Sequence, residues 1–320
     1  MPVSNIKDEI LKEISKGKTV SGGALASRLG VSRNAVWKEV NALRREGYFI
    51  SGLTGGYVLG AQNTRLCAEQ LCATVSKKII FKDKTGSTNE DLKAIAEKGA
   101  DEFTVLVARS QSGGKGRLGR SFYSYEGGLY FSVLLRPEAS AETCLRITTA
   151  AASAMAEAIG RVSHLQAKIK WVNDIYIKNK KVCGILTEGV FDAENGVIKY
   201  AVLGVGVNVG APRQGFPDDI SDKAGALFDT PTPPSLAYCA LLKEFLSIFS
   251  GYYKNIDGMT YIKDYRSRSL LDGKTVTYEK DGKKHTAQVL GIGDNAELIV
   301  SENGKKRFLV CGEVTISEYE

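Results

Sequence analysis

The chain has 320 residues, of which 43% are hydrophobic and 25% are charged, and its formal net charge is +7 at pH 7. These proportions are typical of globular proteins and exclude a collagen-like, a disordered or a membrane-embedded chain. Because the length exceeds that of one ordinary compact domain, we expect two or three domains, each with a core of its own.

The cysteines and histidines argue against disulfides and a structural metal. Six cysteines are scattered along the chain without a CxxC pair, and there are only two histidines. We therefore expect buried free thiols and no zinc-type site. Residues 1–18 are polar and contain no apolar run that would form a signal peptide or a membrane helix, so we expect a cytoplasmic protein with no membrane partner.

Positive charge is concentrated near the start of the chain. Residues 1–60 contain nine lysines and arginines against five aspartates and glutamates. This excess indicates either an anionic partner or an ordinary solvated surface, and charge alone does not distinguish them.

The same region has the pattern of a helix-turn-helix unit. Ile6, Ile10, Leu11 and Ile14 recur at helical spacing and predict a first helix that ends at Gly17. Ser21 is expected to cap a second helix, Gly30 to make the turn, and Ser32 to cap a third helix. Two short β segments around a glycine-rich turn, 48–50 and 57–59, predict a wing. The residues expected to point inward are Ala24, Leu25, Leu29, Val36, Val40 and Leu43.

A winged helix-turn-helix with a basic outer face predicts contact with operator DNA through the major groove. The candidate DNA-binding residues are Ser21, Ser32, Arg33, Asn34, Val36, Trp37, Lys38 and Asn41. A protein-interaction module of the same shape is the alternative. Trp37 in particular fits a packing position as well as it fits a DNA contact.

The remaining sequence predicts an α+β multidomain protein. We place the winged helix-turn-helix domain at 1–62, a helical linker at 63–78, a catalytic domain with a mixed sheet at 79–268, and a small β-barrel at 269–320. The last unit is predicted from five short alternating strands with turns at Asp281-Gly and Asn303-Gly.

One segment of the central domain has the composition of an anion-binding loop. Residues 111–120, QSGGKGRLGR, contain four glycines and three cations directly after a predicted strand. Glycines allow backbone N–H groups to approach a ligand closely, and Lys115, Arg117 and Arg120 supply charge for a phosphate or carboxylate. We expect this loop to be mobile until an anion orders it; a solvated basic loop is the alternative.

Three further segments are candidates for chemistry. Ser87, Thr88 and Asn89 enter a predicted helix, where they could also serve only as caps. KWVND (170–174) and KVCGIL (181–186) place two lysines and a carboxylate on adjoining strands. GVGVN (204–208) ends a strand with small residues that let a flat ring lie close to the backbone.

Taken together and in this order behind a winged helix, these motifs resemble the bifunctional biotin protein ligase and biotin operon repressor family. The resemblance covers nearly the whole chain. The family usually has arginine where this sequence has Lys115, often proline where it has Val172, and a basic residue where it has Leu118. The resemblance implies a class II synthetase-like central domain and an SH3-like barrel at the end.

The resemblance also implies roles for individual residues. Those implied to bind biotin are Ser87, Thr88, Asn89, Gln111, Lys115, Gly116, Arg117 and Lys181. Those implied to bind the nucleotide are Lys115, Arg117, Arg120, Asn173 and Asn208. Those implied to act in catalysis are Lys170, Lys181, Arg117 and Asp174, with ATP and Mg²⁺ as the partners of the chemistry.

The implied reaction joins biotin and ATP into biotinyl-5′-AMP and pyrophosphate, and then transfers biotin to a lysine of a biotin carboxyl carrier domain. The adenylate is expected to promote a homodimer that binds operator DNA as a repressor. The alternatives are a lipoate-type protein ligase and a regulator whose central domain senses a small molecule without catalysis.

Overall fold

The computed structural model describes residues 6–14, 18–45, 50–53, 55–59, 78–137, 142–191, 198–231, 236–310, 312 and 314–316. The predicted helical linker at 63–78 lies almost entirely outside the described residues. No described helix is both long and apolar enough to cross a membrane.

The N-terminal unit has the predicted helix-turn-helix and wing. It consists of α1 (Ile6–Ile14), α2 (Gly22–Leu29), α3 (Arg33–Arg45), β1 (Ile50–Leu53) and β2 (Gly56–Leu59). The Ser21 hydroxyl accepts a hydrogen bond from the Ala24 N–H at 3.0 Å, and the Ser32 hydroxyl accepts one from the Ala35 N–H at 3.1 Å. Gly30 ends α2 with a φ of +66°, so both predicted caps and the predicted turn are confirmed.

This unit has a hydrophobic core of its own, built from one face of each helix and from the hairpin. One inward position, Ala24, was predicted wrongly, and Val36 was predicted both to point inward and to contact DNA. Ala24 is exposed and Ala26 is buried in its place, because the apolar stripe of α2 is rotated by part of a turn. Val36 has no exposed surface, so it packs in the core and cannot contact DNA. Trp37 is 60% exposed and is therefore not a packing residue of this unit.

The central domain is built on a mixed sheet of seven strands. Its strands are β3 (Ile79–Thr85), β4 (Val105–Gln111), β5 (Leu129–Leu135), β6 (Lys168–Lys170), β7 (Asp174–Ile177), β8 (Lys180–Phe191) and β9 (Ile198–Val207). The order across the sheet is β3-β4-β5-β9-β8-β7-β6, and only β3 and β4 run parallel. This confirms the predicted mixed sheet.

The helices of this domain are α4 (Thr88–Ala96), α5 (Glu142–Ser163), α6 (Asp218–Ser221), α7 (Leu236–Tyr253) and α8 (Ile262–Ser267). Because side chains alternate along a strand, the central strands present two different faces. On the core face, residues such as Val133, Val205 and Ile185 belong to the large hydrophobic core that includes α5 and α7. On the other face, which we call the cleft face, α4 packs on a smaller apolar cluster.

The C-terminal unit is an antiparallel sheet of five strands. They are β10 (Thr275–Lys280), β11 (Lys283–Ile292), β12 (Leu298–Glu302), β13 (Lys305–Leu309) and β14 (Val314–Ile316), in the order β13-β12-β11-β10-β14. Asp281 and Asn303 have positive φ angles, as expected for the predicted hairpin turns. Among the described strands β13 and β14 do not pair, so the predicted barrel is not closed.

This sheet shares one hydrophobic core with the central domain. The indole N–H of Trp171 donates to the backbone carbonyl of Ala296 at 2.9 Å, and the Arg266 Nε donates to that of Ile292 at 2.9 Å. The two units are therefore packed together through both apolar and polar contacts.

We predict that Phe245→Ala lowers the free energy of unfolding of the central domain by about 3–5 kcal/mol, the usual cost of removing a buried phenyl ring. The Phe245 ring has no exposed surface and its centroid lies 5.2 Å from that of Phe131. Chemical denaturation followed by circular dichroism measures the change. Phe191→Ala, at a site that is 50% exposed, should change stability much less; equal losses would contradict the prediction.

Candidate functional site

A cleft that is open to solvent lies on the cleft face of the central sheet. The start of α4, the end of β4, the glycine-rich loop and the β6–β7, β8 and β9 strands all contribute to it. The residues predicted from sequence that line it are Ser87, Thr88, Asn89, Gln111, Lys115, Gly116, Arg117, Arg120, Lys170, Asn173, Asp174 and Lys181. The fold thus brings together side chains that are up to 94 positions apart in sequence.

One end of the cleft is polar and buried. Ser87, Thr88 and Asn89 are each less than 8% exposed. Ser87 occupies the N-cap position of α4, but its side-chain hydroxyl makes no hydrogen bond to the first turn of the helix. The predicted role of Ser87 as a side-chain cap is therefore not seen. The side-chain oxygen of Gln111 accepts a hydrogen bond from the Thr88 N–H at 2.8 Å, and its NH₂ group donates to Ser124 at 3.0 Å. These bonds fix which end of the Gln111 amide faces Thr88.

The glycine-rich loop folds back on itself above the cleft. The N–H of Gly116 donates to the carbonyl of Arg120 at 2.7 Å, and that of Phe122 donates to the carbonyl of Gly114 at 2.8 Å. At its tip, Lys115 Nζ donates to the Glu90 carboxylate on α4 at 2.8 Å. The hydrogen bonds from Lys115 and Lys93 lower the pKa of Glu90. The loop is therefore tied to the helix that carries the polar residues.

The other end of the cleft is charged. Lys181 Nζ lies 2.7 Å from Asp174 Oδ1, with about a third and a fifth of the two side chains exposed. Asp174 Oδ1 is buried and makes no hydrogen bond, so the contact is an ion pair without hydrogen-bond geometry. Arg117 donates to Asn173 Oδ1 at 3.3 Å. A lysine, an arginine and a carboxylate thus meet where a phosphate or carboxylate of a ligand could be held.

The floor of the cleft is almost free of side chains. Gly184 on β8 is directly opposite Gly206 on β9, and Gly204 is opposite Ser132 on β5. The Phe122 ring lies against this bare surface, since a Cβ on Gly206 would be only 2.7 Å from it. The predicted flat ring above the GVGV segment is therefore a side chain of the chain itself. Lys181 Nζ lies 6.0 Å from the centre of that ring.

Asn208 is the predicted site residue that does not line this cleft. It is 6% exposed, and its side-chain NH₂ group donates to the carbonyl of Gly225 at 2.9 Å. Its side-chain oxygen is buried and makes no hydrogen bond.

Several residues of the cleft were not found by sequence reasoning. Phe122 lines the cleft, and Ser124 and Ser132 hydrogen-bond the lining residues Gln111 and Asn89 from behind; all three lie outside the motifs, and no local signal marks them. The contact of Arg117 with the C-terminal unit was also missed: its guanidinium donates to the carbonyl of Gly312 at 2.9 Å, and Val314 lines the cleft. These contacts join segments almost 200 positions apart, which spacing alone cannot predict.

The thiols near the cleft have no chemical role in this arrangement. Cys183 has no exposed surface, and its burial raises the pKa of the thiol well above the ordinary range. Cys144 is partly buried, and its thiol pKa is raised for the same reason. Both cysteines are therefore protonated and weakly nucleophilic near neutral pH.

Comparison with known proteins identifies the families to which the central domain and the N-terminal unit are similar. Residues 82–208 match the biotin/lipoate A/B protein ligase family, and residues 7–58 match an HTH domain family. The bifunctional ligase/repressor BirA of Bacillus subtilis (strain 168) is 30% identical over 312 residues, which cover 94% of this chain and 95% of that protein. The biotin--[acetyl-CoA-carboxylase] ligase of Paracoccus denitrificans is 32% identical over 245 residues, covering 72% of this chain and 97% of that protein.

Among solved structures, the biotin protein ligase from Aquifex aeolicus in complex with biotin and ATP superposes with a TM-score of 0.63 and 25% identity, covering 76% of this chain and all of that chain. The chain belongs to the bifunctional ligase/repressor BirA family. The resemblance seen in the motifs is confirmed.

We predict that Gly204→Ala destabilises the central domain by about 1–3 kcal/mol, the cost of leaving buried polar groups without partners. A Cβ at this position would collide with the Asn89 side chain, which must then leave its hydrogen bonds with Glu188 and Ser132. The thermal midpoint measures the loss.

The matched control is Gly251→Ala in α7, where a Cβ would meet no atom within 4 Å. This change should stabilise the protein by about 0.4–1 kcal/mol because it restricts the unfolded chain. If both variants shifted the midpoint in the same direction, the close approach at Gly204 would have no energetic consequence.

Proposed function

We propose that this chain is an ATP-dependent biotin protein ligase that also acts as a biotin-responsive transcriptional repressor. It joins biotin and ATP into biotinyl-5′-AMP and pyrophosphate, and then transfers biotin to a lysine of a biotin carboxyl carrier domain. The observation that carries the proposal is the arrangement of the cleft. Buried polar side chains lie at one end and charged side chains at the other, and the strand positions between them are glycines.

The polar end suits the uncharged ring of biotin. Ser87, Thr88, Asn89 and Gln111 offer donors and acceptors around a ring with both N–H and C=O groups. Lys115, Gly116 and Arg117 close over the bound molecule from the loop, and Lys181 faces its carboxylate. Family membership supports these roles, because the residues stand in the motifs that the family shares.

The charged end suits the phosphates of ATP. The carboxylate oxygen of biotin attacks the α-phosphorus and pyrophosphate leaves, while Lys170, Lys181 and Arg117 stabilise the charge that develops on the transferring group. Lys115, Arg120 and Asn173 contact the nucleotide from either side. Asn208 does not line the cleft, so its place beside adenine rests on family membership; its buried side-chain oxygen makes no hydrogen bond.

Mg²⁺ would enter with the nucleotide. Asp174 Oδ1 is ion-paired with Lys181 but makes no hydrogen bond, and it would be the carboxylate ligand of the ion, since magnesium in such sites is typically held by one or two carboxylates together with substrate phosphates. When bound, the ion neutralises charge on the phosphates.

Transfer of biotin needs no covalent enzyme intermediate. The adenylate is already a mixed anhydride, so the amine of the acceptor lysine attacks its carbonyl and AMP leaves. The protonated thiols of Cys183 and Cys144 take no part in this step. A lipoate-type ligase, or a sensor that binds without catalysis, would use the same cleft and is separated by the experiment below.

We predict that the wild-type protein releases pyrophosphate with ATP, Mg²⁺ and biotin but not with lipoate. Lys181→Met should reduce this release by about 100- to 1,000-fold, because the charge on the transferring phosphoryl group loses its partner. Lys199→Met removes a lysine that pairs with Glu97 on the surface and should leave the rate unchanged. Pyrophosphate release with lipoate would favour the lipoate ligase. If neither biotin nor lipoate gave pyrophosphate release, the sensor without catalysis would be favoured.

The N-terminal unit provides the repressor function. The exposed side chains of Arg33, Asn34, Trp37 and Lys38 on α3 form a surface that fits a major groove, with Asn41 at its edge and the capping residues Ser21 and Ser32 beside it. The adenylate is the signal: it promotes a homodimer, which places two such surfaces on two half-sites of an operator.

For the DNA-binding surface, we predict that Lys38→Ala lowers the slope of log affinity against log salt concentration by about 1, because one phosphate contact is lost. Gel shifts with a random-sequence duplex measure this slope, and Lys98→Ala, outside the unit, should not change it. Sedimentation with and without biotin plus ATP tests the dimer. If the salt slope did not change in Lys38→Ala, Lys38 would not contact a phosphate. If the sedimenting mass of the protein did not change with biotin plus ATP, the adenylate would not promote the dimer.

We also propose the limits and fold types of the individual domains. We place domain limits at 1–62, 63–78, 79–268 and 269–320, a class II synthetase-like fold in the centre, and an SH3-like barrel at the end whose seam lies between β13 and β14. The protein would work in the cytoplasm, where its carrier substrate and its operator are both found.

A further inference from the structure

Positive charge on the C-terminal sheet is concentrated around two hairpin turns. Residues 269–320 contain seven lysines and arginines against nine aspartates and glutamates, so this segment as a whole is acidic. Six of the seven cations nevertheless stand in EKDGKKH (279–285) and ENGKKRF (302–308), which include the turns. Five of the six are lysines, which we call the lysine surface: Lys280, Lys283, Lys284, Lys305 and Lys306.

The first turn of the lysine surface carries uncompensated charge. All five lysines are exposed, and within the described part of the chain none of them forms an ion pair with a carboxylate. Lys280 and Lys283 are directly opposite each other in the hairpin, and two like charges in such a pair are destabilising. Glu279 is opposite Lys284 in register without forming an ion pair with it. An anion bound from outside would relieve this repulsion.

The buried carboxylate at the second turn is already occupied. Glu302 is directly opposite Lys305, yet it is only 8% exposed. Its Oε1 lies 2.6 Å from Nδ1 of His285, and its Oε2 pairs with the Nε of Arg307. Both carboxylate oxygens therefore have other partners, and the amine of Lys305 remains available to a ligand.

The strand registers give the length of the lysine surface. Ser301 on β12 is opposite both Gln288 on β11 and Lys306 on β13, and Lys284 lies four residues before Gln288. With about 3.4 Å per residue and about 4.8 Å between strands, Lys284 and Lys306 are about 16 Å apart. Since each DNA strand has one phosphate per ~3.4 Å of helix axis, this length corresponds to about five base pairs.

The sheet face between these two lysines is polar and uncharged. Because side chains alternate along a strand, Thr286 and Gln288 share the outer face of β11 with Lys284, and Ser301 continues that face on β12. Thr286 and Gln288 are exposed and Ser301 is half-buried. Lysine, hydroxyl and amide side chains are among the groups that donate hydrogen bonds to phosphate oxygens in protein–DNA complexes.

This composition favours DNA over an acidic protein as the partner. Protein interfaces are enriched in aromatic residues, methionine and arginine, and are depleted in lysine and serine. The exposed large apolar side chains of the described sheet are Leu290, Phe308 and Val310, and each lies further from the turns than Gln288 or Lys306 does. The ring of Phe308 marks the boundary, since its centre is 5.2 Å from Lys306 Nζ.

We propose that the lysine surface is a second DNA contact, which binds the phosphates of a duplex without reading its sequence. The inference rests on the proposed repressor function and goes beyond it, because DNA held by the N-terminal unit is then held by the C-terminal sheet as well. Each amine that neutralises a phosphate releases a counterion, so the affinity gained falls as salt is added. Two contacts on one duplex also bind more tightly than either alone.

The test combines Lys283→Gln, Lys284→Gln, Lys305→Gln and Lys306→Gln in one full-length variant. We expect the slope of log affinity against log salt concentration to fall by about 2–4, since each lost phosphate contact lowers it by about 0.9. Fluorescence anisotropy with a random-sequence duplex of about 40 base pairs measures the slope, and at about 50 mM salt the Kd should rise at least tenfold.

The matched control removes the same charge elsewhere. Lys98→Gln, Lys243→Gln, Lys254→Gln and Lys263→Gln, combined in one variant, replace four exposed lysines of the central domain and should leave the slope unchanged. Two double variants, one for each hairpin, should each produce about half of the full effect, because separate contacts add. Since Lys283→Gln ends the repulsion from Lys280, the thermal midpoint of the hairpin variants should not fall.

The outcomes separate this inference from the proposed function. If the hairpin variant and wild type have the same slope, or if the control variant loses as much, the inference is overturned while the repressor stands. An unchanged slope with a raised KM for a biotin carboxyl carrier domain would assign the lysine surface to an acidic protein instead. If wild type binds no duplex even at low salt, both the inference and the proposed DNA-binding function fail.

Discussion

The bare patch on the central sheet is the constraint on which the site depends. Gly184 and Gly206 face each other across β8 and β9, and Gly204 lies one row further along beside Ser132. Because these positions have no side chains, Phe122 and Asn89 can lie directly on the backbone. The glycine-rich loop, which leads into Phe122, and α4, which begins with the polar residues, are thereby brought to one face.

The two ends of the cleft differ in burial because they meet different parts of the fold. The polar end is enclosed by α4 and β5, where Ser87, Thr88 and Asn89 are buried. The charged end lies near β6, β7 and the C-terminal sheet, where Lys181 and Asp174 keep some exposure. An uncharged ring and a phosphate chain need these two environments, and one sheet supplies both.

Local patterns predicted much of this molecule, and contacts across long separations account for the rest. The caps at Ser21 and Ser32 and the turns at Asp281 and Asn303 depend on a few adjacent residues, so their types could be predicted. Val36 was placed both inward and on DNA, and only the packing of α3 decides for the core. The bonds of Asn89 with Glu188 and of Arg117 with Gly312 depend on strand order and docking, for which the sequence carries no local signal.

The N-terminal unit has a hydrophobic core separate from that of the central and C-terminal units, as far as the described residues extend. No apolar side chain of the described helix-turn-helix contributes to the packing of the sheet that bears the cleft. A gene segment encoding this unit could therefore be gained or lost in evolution without refolding the enzyme, so that gene control and biotin attachment can be inherited as separable traits.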